Sequence, residues 1–198
     1  MTSVVVLDLG GVLCRFDQEA RIRALAAASG WSADRIREYV WGSGRDAAAD
    51  SGQLSVDEAF ALGSLDGALD RATVIRSWEA AFAPDRDVLD LVDQVTVRRA
   101  LLTNNGPIVE ELFAGWLAPI ASRCEPVMLS WRLRATKPSR EAYVRAADWI
   151  GAPASELFFV DDSMRNVEGA CAAGWDAVQF TTTDALKIEL GRRDVLAA

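Results

Sequence analysis

The chain has 198 residues, of which 51% are hydrophobic and 25% charged, with 14 Gly and 6 Pro. That balance excludes a disordered or fibrous chain and predicts one globular unit with room for an insertion. A formal charge of −8 disfavours binding to a phosphate backbone, so nucleic acid is not an expected partner. The complete lack of histidine removes Ser-His-Asp and Cys-His hydrolases, most zinc sites and any imidazole base, leaving carboxylates, lysine, hydroxyls and hard metals to carry any chemistry.

The three cysteines, Cys14, Cys124 and Cys171, stand far apart without metal-ligand spacing, which reads as reduced thiols of a cytoplasmic protein. No apolar run approaches the ~18 residues of a membrane span. Val4-Val5-Val6-Leu7 begins almost at the first residue, so a soluble, unexported protein is expected.

In chain order, continuous apolar runs at 4–7, 97–102, 125–129, 157–160 and 177–180 predict buried parallel strands. Between them lie helical patterns: 87–94, 107–114, 139–150 with Ser139 as N-cap, 163–173 closing at Gly174, and 183–190 closing at Gly191. The alternation predicts an α/β fold with a doubly wound parallel sheet. Residues 16–84 break it. They carry helix-period apolar residues such as Ile22, Leu25, Ile36, Val40, Val74 and Trp78, no strand, and glycine breaks that predict about four short helices. The expected organisation is a core of 1–15 and 85–198 with an inserted α-helical cap of 16–84, placed over the carboxyl edge of the sheet where such folds bind ligands.

The chemistry gathers at strand ends. Asp8 closes the first apolar run and is followed by Gly10 and Gly11; Asp161 and Asp162 close Leu157-Phe158-Phe159-Val160. A lone strand-end aspartate reads as a turn cap, but adjacent carboxylates at a second strand end are unfavourable without a compensating cation. If those strands are neighbours, Asp8, Asp161 and Asp162 form an all-oxygen cluster suited to Mg²⁺. Thr103-Asn104-Asn105 adds a hydroxyl and amides, and Lys137-Pro138 an ammonium. Hydroxyl, ammonium and metal facing one carboxylate make a site for a phosphoryl group.

In order and spacing these motifs resemble the haloacid dehalogenase superfamily. The matching segments are Asp8-Leu9-Gly10-Gly11-Val12, Leu102-Thr103-Asn104-Asn105, Lys137-Pro138 with the downstream Tyr143, and Val160-Asp161-Asp162-Ser163 running on to Val167; Ser51 to Phe60 is similar to a cap segment of the superfamily's small-molecule phosphatases. The resemblance implies a Mg²⁺-dependent phosphatase acting on a small phosphorylated metabolite. In it Asp8 is the nucleophile, Thr103, Asn104 and Lys137 bind the phosphoryl oxygens, and Asp8, Asp161, Asp162 and the Gly10 carbonyl hold the metal, Asp162 directly and Asp161 partly through water.

One departure matters: the superfamily's phosphatases usually carry a second aspartate where Gly10 stands, as acid to the leaving alcohol. Asp17, at the entrance to the cap, is the candidate substitute, and Trp41 and Arg45 are candidate specificity groups. Arg132 and Arg134 read as a solvated pair, and the remaining tryptophans as packing. The competing readings are a phosphate-binding or regulatory protein with weak turnover, motivated by Gly10, and a 2-haloacid dehalogenase, disfavoured because bare carboxylates beside Asp8 would repel its substrate.

Overall fold

The computed structural model describes residues 1–197. Its centre is a five-stranded sheet in the order β5-β4-β1-β6-β7, with β1 Val4–Leu7, β4 Arg98–Thr103, β5 Val127–Leu129, β6 Leu157–Asp161 and β7 Asp176–Gln179. Every neighbouring pair is parallel. Successive side chains of a strand point to opposite faces, so Val5, Leu7, Leu101, Phe158 and Val160 enter one apolar cluster. Val4, Val6, Ala100, Leu102 and Phe159 enter a second cluster on the other face. Burial on both faces explains why these strands read as continuous apolar runs. The edge strand β7 is the exception, lying half exposed rather than buried.

Register fixes the site. Leu7 pairs with Leu101 on one side and Val160 on the other, so Asp8, Thr103 and Asp161 leave three adjacent strands at the same edge. Helices α6 Arg86–Val92, α7 Pro107–Leu112 and α12 Thr183–Gly191 pack on one face, and α10 Arg140–Ile150 and α11 Met164–Ala172 on the other. Short helices α8 Ala118–Ala121 and α9 Ser130–Leu133 flank β5. Ser139 caps α10 by accepting from the Ala142 N–H, as the sequence predicts. Gly191, by contrast, lies inside the last turn of α12, and the helix ends at Arg192.

The segment after β1 differs from expectation in two ways. It does contain strand: β2 Cys14–Phe16 and β3 Phe82–Pro84 pair antiparallel, with Phe16 opposite Phe82. Strands of three residues carry too little periodicity to be seen in sequence. Between them run five α-helices rather than four, α1 Gln18–Ser29, α2 Ala33–Arg37, α3 Arg45–Asp50, α4 Val56–Gly63 and α5 Arg71–Glu79, with one π turn at Glu38–Gly42. Asp17, Ser32, Ser55 and Asp70 cap four of them. Ser55 and Glu58 form a reciprocal capping box, and each such cap contributes about 1 kcal/mol. Among the described residues no helix is long and apolar enough to cross a membrane.

Candidate active site

The strand ends converge on Lys137. Its Nζ lies 2.8 Å from Asp8 Oδ1 and 2.7 Å from Asp161 Oδ2, and donates to the Leu102 carbonyl at 2.9 Å. An ammonium has three hydrogens, so all of them face protein oxygens, and a phosphoryl oxygen must share or displace one of these partners. The ammonium compensates two carboxylates that are 8% and 0% exposed; removing one partner from such a buried set costs about 3–5 kcal/mol.

Asp161 is held on every side. Besides Lys137 it accepts from the Ser163 N–H at 2.9 Å and from Asn166 Nδ2 at 3.0 and 3.1 Å. Asp162 is the exposed member, packed over Gly11. A Cβ on Gly11 would fall 2.2 Å from the Asp162 carboxylate, and its φ of +83° is one that other residues rarely adopt, so this position requires glycine. One carboxylate oxygen from each of Asp8, Asp161 and Asp162 lies within 4.8 Å of the others, a hard-oxygen set of the kind Mg²⁺ takes.

Thr103 is buried, and its Oγ1 accepts from Asn105 Nδ2 at 2.7 Å, leaving its hydroxyl hydrogen for another acceptor. Asn104 is turned to a different task. Its Oδ1 accepts from the Lys137 N–H at 2.9 Å and its Nδ2 donates to the Lys137 carbonyl at 2.8 Å, so the amide clamps the lysine main chain and keeps one hydrogen free. Gly10 lies beside Asp8 on the cavity wall.

These groups floor a cavity of about 240 Å³ whose other walls come from the helical segment and the β2–β3 ribbon: Phe16, Gln18, Arg21, Trp41, Asp46, Asp50, Trp78 and Phe82. Of the expected upper groups Trp41 is present. Arg45 is not in the cavity wall; its Nη1 donates to the Tyr39 hydroxyl at 3.1 Å. Asp17 is not there either. It is the exposed N-cap of α1, accepting from the Ala20 N–H at 3.0 Å and from Arg23 at 3.3 Å, and the Ala20 bond foremost holds its carboxyl below the usual range. A donor-bound capping aspartate is a poor proton source. Arg132 and Arg134 are not a pair: Arg132 forks onto Glu110, and Arg134 ends α9 at φ 51°.

Sequence reasoning missed Arg21, Asp46, Asp50 and Trp78. Arg21 is 2% exposed, and its guanidinium sits 3.5 Å from the centre of the Trp78 ring and 5.2 Å from that of Trp41. Burial lowers its pKa to about 10, opposed by Asp46 and Asp50, so it stays cationic at neutral pH. A signal existed: Arg21 stands four residues before the buried Leu25, on the apolar face of its helix, and Asp46 and Asp50 share one face of α3 at the same spacing.

Burial also shifts the carboxylates. It raises Asp8 to about 6, with Lys137 opposing and Asp161 adding. Asp162 rises by burial and by Asp161. Asp46 rises by burial against Arg21, and Asp50 well above the carboxylate range by burial and Asp46.

A parallel sheet whose central strand ends in Asp8, with Thr103 and the paired carboxylates on adjoining strand ends, helices overhead and Lys137 supplied by the loop between α9 and α10 rather than by the strand end the sequence suggests, is the arrangement expected of a haloacid dehalogenase-like hydrolase. Comparisons with known proteins find phosphatases. The chain is similar to phosphatase MT3486 of Mycobacterium tuberculosis, 29% identical over 192 residues, covering 88% of this chain and 85% of that protein. It is also similar to a D-ribitol-5-phosphate phosphatase of Bacteroides thetaiotaomicron, 26% identical over 190 residues, covering 90% and 92%. Among solved structures, a haloacid dehalogenase family enzyme of B. thetaiotaomicron in complex with magnesium and inorganic phosphate superposes with a TM-score of 0.78 at 21% identity, covering 91% of this chain and 95% of that one. No family model matches the chain.

Proposed function

We propose that this phosphatase hydrolyses the monoester of a small phosphorylated metabolite, with Mg²⁺ as cofactor and an aspartyl-phosphate on Asp8 as intermediate. The observation that carries this reading is the clustering of Asp8, Asp161 and Asp162, with Lys137 bridging Asp8 and Asp161, beside a small cavity that Asp8 and Lys137 line. The three carboxylates and the Gly10 carbonyl would hold the metal. When bound, the metal supplies positive charge that offsets repulsion between a carboxylate nucleophile and a phosphate dianion.

The chain's own groups do the rest. Asp8 Oδ attacks phosphorus, forming one P–O bond while the ester P–O bond breaks and the alcohol oxygen leaves with the electron pair. Thr103 donates its hydroxyl hydrogen to a phosphoryl oxygen, and Lys137 shares its ammonium between that group and Asp8. Asn104 keeps Lys137 in place through its main chain and offers its remaining amide hydrogen. Water then attacks phosphorus, the P–O bond to Asp8 breaks, and inorganic phosphate leaves with Asp8 restored as a carboxylate, while solvent takes the proton released and supplies the one the alkoxide needs. At Gly10 no side chain protonates the leaving alkoxide, so alkyl esters are the demanding substrates. Gly10 also favours the second reading, a phosphate-binding protein of weak turnover.

In this reading residues 16–84 act as a cap over a core of 1–15 and 85–198, supported by the cavity walls drawn from both. The free cysteines, two of them buried, support a cytoplasmic location. The relative named for D-ribitol 5-phosphate makes that ester a first substrate to try. The test is phosphate release from a panel of monoesters with Mg²⁺ or with chelator. Activation by Mg²⁺ and silence in chelator are expected; full activity in chelator would remove the metal from the reaction.

A further inference from the structure

The upper half of the cavity holds charged groups that the phosphoryl chemistry does not use. Arg21 is buried and cationic, yet its nearest carboxylate oxygen, on Asp46, stands 3.8 Å away, beyond hydrogen-bonding distance. Its Nε has no protein partner among the described residues, and neither has the buried indole Nε1 of Trp78. Unpartnered buried donors are rare in folded proteins, and here both belong to side chains on the same cavity wall. Asp46 and Asp50 line the same cavity as these donors. Asp50 is anchored to the catalytic floor: the Ser130 hydroxyl donates to its carbonyl at 2.6 Å while accepting from the Asn105 N–H at 3.0 Å.

A ligand group that meets both these donors and these carboxylates must both accept and donate. A hydroxyl does so. A carboxylate only accepts and would face Asp46 and Asp50; an ammonium only donates and would face Arg21. The cavity, at about 240 Å³, holds the equivalent of ~8 waters at ~30 Å³ each and lies below the ~300–1,000 Å³ of sites for larger ligands. Its aromatic wall, where Phe16 and Phe82 have ring centres 5.0 Å apart, suits the C–H face of a short carbon chain.

We infer that Arg21, Asp46, Asp50 and the Trp78 indole form a hydroxyl-recognition subsite, and that the ester's leaving group is a neutral, short-chain polyhydroxylated alcohol. This rests on the phosphatase reading for the position of the phosphate and adds what selects the rest of the molecule.

The experiment has a turnover arm and a binding arm. In the first, kcat/KM with Mg²⁺ is compared for ribitol 5-phosphate and glycerol 3-phosphate against 3-phosphoglycerate, phosphoglycolate and O-phosphoethanolamine, with 4-nitrophenyl phosphate as the ester lacking hydroxyls. Among the alkyl esters the polyol esters should lead by at least about tenfold, since a site built for hydroxyls rejects analogues without them, while 4-nitrophenyl phosphate, with its better leaving group, serves as the control for turnover. Asp50→Asn should reduce that preference about tenfold, mainly through KM, the size of one hydrogen bond to a charged group. In the second arm, Kd for ribitol 5-phosphate and 3-phosphoglycerate is measured by calorimetry on Asp8→Asn protein, which needs no turnover, with and without Asp50→Asn.

Hydrolysis of all the alkyl esters at equal kcat/KM, or equal Kd for polyol and carboxylate esters, overturns the subsite while leaving the phosphatase standing. Failure to hydrolyse any ester, 4-nitrophenyl phosphate included, overturns the phosphatase reading instead, and the binding arm still decides the subsite. Should Asp50→Asn not fold, the polyol-to-carboxylate ratio in the Asp8→Asn protein decides alone.

Discussion

The floor and the ceiling of the cavity are built on different principles. The floor is a row of strand ends: Asp8, Thr103 and Asp161 stand where they do because parallel register sets Leu7 beside Leu101 and Val160, and every donor of Lys137 has a partner there. The ceiling is a set of short helices in which a buried arginine and a tryptophan keep unpartnered nitrogens and two aspartates are pushed up by burial. A fully satisfied polar set is rigid and suited to one reaction; an under-satisfied one is completed by whatever binds. In the proposed reading the floor does the chemistry and the ceiling chooses the substrate.

The largest effect should come from the floor. Asp8→Asn removes the attacking oxygen and should lower turnover at least about 10³-fold for every ester, whatever its leaving group, while the fold persists because Lys137 keeps Asp161. Single-turnover assays on freshly purified protein, with circular dichroism for the fold, check this. A loss confined to one ester class would move Asp8 out of the nucleophile role and erase the division between floor and ceiling.

Lys137→Met tests whether the floor is structural as well as chemical. It leaves Asp8 and Asp161 facing each other in a dry site, which should cost about 3–5 kcal/mol of stability at neutral pH and be seen as a large fall in Tm. The fall should shrink as pH drops through about 6, where Asp8 takes up a proton. No change in Tm would mean that water already screens the ammonium, against its burial.

The same division explains what the amino-acid sequence revealed. The floor was legible because a strand end is local grammar: an apolar run, then the residue that leaves it. Asp8, Thr103, Lys137, Asp161 and Asp162 could each be named, and parallel order brought them together. Gly11 was legible as glycine but not as the seat of Asp162, which depends on a neighbouring loop. The ceiling was largely illegible. Arg21 shares a face with the buried Leu25, and Asp46 and Asp50 share one face of α3, but a spacing of four does not by itself say which charged side chains pack inward. Arg45 was named as a candidate and Arg21 was not, and only packing separates them. The β2–β3 ribbon escaped for the same reason: three-residue strands owe their existence to pairing across 65 residues of helix, 17–81.

Gly10→Asp sharpens the comparison by repairing the floor. A Cβ on Gly10 would meet only Phe16, at 3.5 Å, and its φ is not in the left-handed region, so the backbone accepts a side chain there without strain. The new carboxyl would protonate a departing alkoxide, an effect generally worth about 10²–10⁴-fold in full, and a gain of about tenfold or more is expected for alkyl esters in the chemical step. 4-Nitrophenyl phosphate, whose leaving group departs largely unaided, should gain little. Equal gains for both classes would show that the substitution altered binding rather than proton transfer.

The smallest effect isolates the ceiling by its response to pH. In the folded chain Asp8 keeps its proton to about pH 6, against an ordinary value of 3.8, and Asp46, Asp50 and Asp162 are also raised, each foremost by burial. Between the unfolded and folded values the folded state binds more protons, so stability falls as pH rises, beginning near pH 4 and continuing through pH 6. Asp50→Asn substitutes an isostere that never ionises and removes that residue's share of the fall. In chelator, Tm of the two proteins should therefore coincide near pH 4 and separate by pH 7, with the variant higher. Mg²⁺ then divides floor from ceiling: it offsets charge on Asp8 and Asp162 and should raise Tm of both proteins at pH 7, while the difference between them persists because Asp50 stands outside the three-carboxylate cluster. A variant less stable than the parent at pH 7 would mean that Arg21 fully compensates an ionised Asp50. A difference abolished by Mg²⁺ would mean that floor and ceiling titrate as one site.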